Sequence, residues 1–211
     1  IESNYRRLLE RVAMACERAG RKPGSVKIIA VTKFADEQAV RKIIEKLGIL
    51  DLGENKIQGA LPKVALFNKF PLIWHFIGHL QTNKARDAVA NFQWIHSVDS
   101  LKLARTLDQE AGKQQKRPTV LMQVNVSGET SKHGFTPDEL IKVLPELRLL
   151  KNISVGGLMT MAPYYDIAES ARPVFKGLRM LREKVMKEGF PGIELSALSM
   201  GMSQDLEIAI E

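Results

Sequence analysis

Cysteine is nearly absent: Cys16 stands alone among 211 residues, so no intramolecular disulfide can form and a reducing compartment fits. No uninterrupted apolar stretch approaches the about 20 residues that a membrane-spanning helix needs, and the N-terminus lacks the layout of a signal peptide. A soluble, cytoplasmic protein without a membrane partner is therefore expected. Long blocks of one charge are also missing, although the net charge is +7. The scattered basic residues favour anionic partners, and a phosphorylated small ligand accounts for them as well as a nucleic acid would, so no nucleic-acid partner is predicted. Metal-ligand spacing is absent too. Of the four histidines, His75 and His79 are neighbours in sequence but straddle a predicted strand-to-loop junction and share no helical face, so no metal site is predicted.

What the chain does have is alternation. Lys27 to Lys33 is a β-branched apolar run ending on lysine, followed by a helix start near Asp36. Such a run reads as a strand buried on both faces of a parallel sheet. Further strands are expected at 49–52, 72–77, 93–96, 119–126, 153–158 and 193–198. Helices are expected over 4–19, on Val40 to Leu47, over 57–66, 84–91 and 101–111, after the capping box Thr136 to Glu139, over 168–188 and from about Ser203. Cys16 lies on the apolar stripe of the first helix and is expected to be a buried structural thiol. Seven strands separated by helices imply right-handed crossovers and a parallel sheet in a single domain over 1–211. An open sheet and a TIM-type (β/α)8 barrel both accommodate them, and we favour the barrel, with its final strand absent from this chain.

In such folds ligands bind at the carboxyl ends of the strands, where polar loops are mounted on a rigid frame. Lys33 stands at that end of the first strand. Apolar neighbours that desolvate its ammonium would lower its pKa and free the amine as a nucleophile toward a carbonyl. After the last strand, Ser199, Gly201 and Ser203 precede a helix, a turn that suits an anion, although an ordinary helix cap at Ser203 explains the pattern too. A ligand carrying both carbonyl and phosphate satisfies the pair, and pyridoxal 5′-phosphate (PLP) is such a ligand. Asn55 could hydrogen-bond its phenolic oxygen or simply cap the next helix. Met159 could lie against a flat ring or fill the core. His75, set between Trp74 and Phe76, reads as a satisfied core histidine. Ser131 and Lys132 could reach the mouth from a long loop.

Six ordered segments carry a resemblance. They are Ala30-Val31-Thr32-Lys33, Leu52-Gly53-Glu54-Asn55, Trp74 through Lys84, Ser127 through Gly134, Gly157 through Pro163 and Leu198 through Ser203. Together they resemble the YggS/PROSC family of PLP homeostasis proteins over nearly the whole chain. The resemblance implies a fold-type III PLP barrel like the N-terminal domain of alanine racemase, with Lys33 as the Schiff-base lysine and Ser199 and Gly201 at the phosphate. It further implies a role in buffering or delivering PLP to PLP-dependent apo-enzymes, without established turnover, in a protein expected to be a monomer. The alternative is a small fold-type III enzyme acting on an amino acid.

Overall fold

A computed structural model describes residues 1–22, 24–130 and 132–211; Ser131, one of the loop residues named above, lies outside the described residues. Helix α1 (Glu2–Arg18) leads, and the parallel strands β1 (Ala30–Val31), β2 (Asp51–Glu54), β3 (Ile73–Phe76), β4 (Trp94–Val98), β5 (Thr119–Gln123), β6 (Ser154–Met159) and β7 (Ala197–Ser199) follow. Between them run α2 (Glu37–Leu47), α3 (Ile57–Leu66), α4 (Ala85–Asn91), α5 (Leu101–Gln114), α6 (Pro137–Leu147) and α7 (Arg172–Glu188). The short α8 (Leu206–Ile210) comes last. No described helix is long and apolar enough to cross a membrane.

Local chemistry explains the boundaries. The Asp36 carboxylate accepts from Ala39 N–H and starts α2, while Gly48, at φ +66°, ends it in the left-handed region that a side chain would strain. Thr136 and Glu139 close a capping box at α6, with Pro137 at the first helical position.

Among the described residues seven strands pair in sequence order, β1 through β7, and each of these pairings is parallel. Their registers sort the side chains into two sets. Leu52, Trp74, Phe76, Ile95, Met122 and Leu158 join the helices in the main core. The alternate positions, including His75, His96, Leu121, Gln123, Met159 and Ser199, face the other side of the sheet.

That side is concave. Three inter-strand spacings, about 14 Å in a flat sheet, separate β4 from β7. Even so, His96 Nδ1 on β4 lies 2.7 Å from Ser199 Oγ on β7, so the sheet curls. The helices outside the curl close up in the same way: Arg11 of α1 pairs with Glu207 of α8, and Arg18 with Glu211. This is the strand order and curvature of a TIM-type (β/α)8 barrel carrying seven strands, with a leading helix.

Candidate functional site

The carboxyl ends of the strands carry the candidate residues. At β1 the ladder is confined to Ala30 and Val31, shorter than the seven-residue strand expected from sequence. The chain then turns. Ala35 N–H donates to Thr32 O at 2.9 Å, which makes Lys33 and Phe34 the two corner residues of a tight turn. Corner side chains point to solvent, and both are exposed. The desolvation expected of Lys33 is thus corrected: its ammonium is exposed, 5.2 Å from the centre of the Phe34 ring. The buried partner of this turn is Thr32, whose hydroxyl donates to Glu54 at 2.7 Å; Lys63 of α3 donates to both the Thr32 carbonyl and the Glu54 carboxylate.

Asn55, directly after β2, is half-buried. It does not cap α3, where Lys56 occupies the cap position and makes no side-chain cap bond. Among the described residues no hydrogen bond to the Asn55 amide is seen, so that group is available to a ligand. Gly78, after β3, is what lets Asn55 sit there: a Cβ on Gly78 would fall 2.1 Å from the Asn55 carbonyl oxygen.

Ser199 and Met159 are register partners on β7 and β6, both on the concave side. Met159 is buried and Ser199 half-buried. Gly201 follows at φ +85°, and a Cβ there would meet the Ala209 Cβ at 2.6 Å. The helix expected from about Ser203 begins later, at Leu206, and has five residues, so its dipole is too small to hold an anion. Ser203 is not its cap; the buried Asp205 carboxylate instead takes up the Met202 N–H at 2.5 Å. An anion here would meet the Ser199 hydroxyl and the left-handed backbone at Gly201.

Sequence reasoning missed what lies beneath Ser199. Its hydroxyl is the mouth end of a hydrogen-bonded row: His96 Nε2 meets His75 Nδ1 at 2.9 Å, and His75 Nε2 meets Asp51 Oδ1 at 2.9 Å. Lys27 closes the far end on Asp51 at 3.0 Å. Burial holds both imidazoles neutral. Loss of solvation lowers the His75 pKa, with Asp51 opposing and Lys27 assisting, and it lowers that of His96 to about 3, assisted by His75. The reading of His75 as a satisfied core histidine agrees with this. The only sequence signal for the row was a pair of histidines in alternating strand registers.

Three loops at the mouth also gather His79, Asp99 and His133, with ligand atoms within 4.8 Å of one another. The two rings stack at 4.1 Å and 19°. Planes so nearly parallel meet only on the order of 10 Å away, whereas a metal–imidazole bond is about 2 Å. The trio in this arrangement cannot share an ion through both rings.

A curled parallel sheet of this kind is shared with the alanine racemase N-terminal domain. That family's sequence pattern matches residues 3–210. A pyridoxal phosphate homeostasis protein of Aquifex aeolicus is 40% identical over 205 residues, covering 97% of this chain and 89% of that protein. One from Pseudomonas aeruginosa is 39% identical over 210 residues, covering 100% and 88%. The chain belongs to this family of pyridoxal phosphate homeostasis proteins, YggS/PROSC. Among solved structures, PipY of Synechococcus elongatus with PLP bound superposes with a TM-score of 0.83 at 37% identity, over 96% of this chain and 92% of that one. An alanine racemase of Clostridium difficile, at 18% identity and TM-score 0.70, shares the fold.

Proposed function

We propose that the chain binds PLP at this mouth and serves to hold and deliver the cofactor inside the cell, without turnover of its own. The observation that carries the reading is the gathering of Lys33, Asn55, Met159, Ser199 and Gly201 at one end of one parallel sheet, in a chain 37% identical to PipY, which has been solved with PLP bound. The residues fit the group. Lys33 offers a primary amine for the aldehyde, Asn55 an amide with no partner among the described residues for the phenolic oxygen, Met159 a polarizable thioether for the ring, and Ser199 with Gly201 a hydroxyl and an open backbone for the phosphate. Bound PLP would supply an electrophilic aldehyde and an electron-poor ring.

The exposure of Lys33 favours carriage over catalysis. Carbanion chemistry on an electron-poor ring needs a site that excludes water and holds a second acid or base in place. Here the amine stands in solvent at the corner of a turn, which suits exchange of the cofactor with apo-enzymes. Reduction with borohydride followed by peptide mass mapping tests the assignment: the adduct is expected on Lys33, and an adduct on Lys84 or Lys132 with none on Lys33 refutes it. The racemase-like fold keeps a small amino-acid enzyme as the second reading, and amino-acid turnover abolished by Lys33→Ala would establish it.

A further inference from the structure

The row from Lys27 to Ser199 crosses the concave side of the sheet diagonally. Lys27 precedes β1 and Asp51 opens β2, at the amino ends of the strands; His75 and His96 lie in the middle of β3 and β4; Ser199 closes β7 at the mouth. Its outer end is wet, the Lys27 side chain being 56% exposed, while His75 and His96 are 1% and 2% exposed. Trp94 stacks on His75, with ring centres 5.8 Å apart, and shields it.

Donor and acceptor rules fix the direction of every hydrogen in the row. An ionised Asp51 can only accept, so His75 Nε2 carries the proton. A neutral His75 then has a bare Nδ1, which must accept from His96 Nε2–H. His96 Nδ1 is left bare in turn and accepts the Ser199 hydroxyl hydrogen. Ser199 therefore turns its lone pairs, and no hydrogen, toward the mouth. An unprotonated phosphate oxygen placed there would face lone pairs.

One added proton reverses this. With His75 as imidazolium beside the Asp51 carboxylate, Nε2–H still serves Asp51, and Nδ1–H now donates to His96 Nε2. His96 carries its own hydrogen on Nδ1 and donates it to Ser199 Oγ, so the serine hydroxyl is free to donate outward. Every polar atom in the row keeps a partner, and the only change in composition is one proton taken from solvent at the Asp51 end.

We propose that Asp51, His75 and His96 are positioning residues that set the polarity of the Ser199 hydroxyl, and that binding of a phosphate ester at Ser199 draws one proton into the row, onto His75. The proposal rests on the reading of Ser199 as a phosphate contact. Asp51 favours the imidazolium, Lys27 beyond Asp51 opposes it, and His96, between His75 and Ser199, stays neutral in both states. The linkage sign follows: the bound form carries one more proton than the free form, so affinity falls as pH rises.

The experiment is nitrogen-15 NMR of histidine-labelled protein, free, with PLP, and with pyridoxal, which has the aldehyde but no phosphate. In the free protein His96 should be protonated at Nε2 and bare at Nδ1. PLP should reverse His96 and protonate both nitrogens of His75, and pyridoxal should leave the rings as they were. A companion titration compares the wild type with His75→Gln, which cannot take up the proton. Between about pH 7 and 8 the wild-type Kd for PLP should rise about tenfold more than that of the variant. PLP bound with the free-state rings, the same reversal with pyridoxal, or equal pH slopes in the two proteins overturns the relay alone. No PLP binding by the wild type at any pH overturns both the relay and the site on which it rests.

Discussion

Replacing Lys63 by methionine should do more damage than its half-hidden position on α3 suggests. Glu54 is 1% exposed, and its Oε1 accepts from Lys63 Nζ at 2.8 Å and from the Thr32 hydroxyl at 2.7 Å. Lys63 is the only cation seen paired with that carboxylate among the described residues. Lys63→Met keeps the apolar stem but leaves a buried charge held by one hydroxyl, a change that typically costs about 3–5 kcal/mol. For a chain of this size each kcal/mol corresponds to roughly 2–4 °C, so Tm should fall by roughly 6–20 °C. The double variant Glu54→Gln/Lys63→Met tests the cause. Its amide still accepts from Thr32 and carries no charge, so it should recover at least half of the loss, leaving about 1–2 kcal/mol for the missing amine bonds. Urea unfolding of wild type, both single variants and the double variant completes the cycle. A single-variant cost below about 1 kcal/mol, or a double variant no more stable than Lys63→Met, would show that the buried charge is not what Lys63 compensates. Lys63 also holds the Thr32 carbonyl from which the Lys33 turn hangs, so PLP attachment should weaken along with stability.

Lys33→Ala should abolish the borohydride-trapped adduct while shifting stability by less than about 0.5 kcal/mol in urea unfolding, because the residue is exposed. Gly78→Ala should lower both Tm and PLP affinity, since its methyl group would need the space of the Asn55 carbonyl; unchanged PLP affinity in a folded variant would count against Asn55 as a contact. Gly201→Ala combines a φ of +85° with a close approach to Ala209, and should weaken PLP binding about tenfold or more by equilibrium titration. In the absence of ligand, His96 stays neutral in the folded state down to about pH 3, whereas an unfolded histidine charges near 6.5. The unfolded chain therefore binds the extra proton in that window. Its contribution to stability is complete above 6.5 and should fall by about 2–3 kcal/mol by pH 4.5. Denaturant midpoints that stay flat to pH 4.5 would contradict a neutral, buried His96.

Much of this architecture is legible in the sequence because its signals are local. The capping box at Thr136, the left-handed Gly48 and the apolar runs of β3 and β5 each declare themselves within a few residues, and strict alternation then limits the topology. The site is legible only where one residue suffices. Lys33, Asn55 and Ser199 stand out as polar residues at or just past the carboxyl ends of strands. The exposure of Lys33 was hidden because the Thr32 to Ala35 turn depends on Glu54 and Lys63, more than twenty residues away. The late start of α8 was hidden because the Asp205 carboxylate accepts from the Met202 N–H ahead of the helix, a contact of which Ser203 gives no sign. The Asp51, His75, His96 and Ser199 row spans nearly 150 residues and exists only because the sheet curls, so no window of sequence could contain it.

The pairs Arg11 to Glu207 and Arg18 to Glu211 fasten the first helix of the chain to the last, and α8 in turn bears on Gly201 through Ala209. Damage to the opening twenty residues, by proteolysis or by an added tag, would therefore be felt first in the loop that follows β7. An assay of cofactor affinity would register that loosening before circular dichroism recorded any loss of strand.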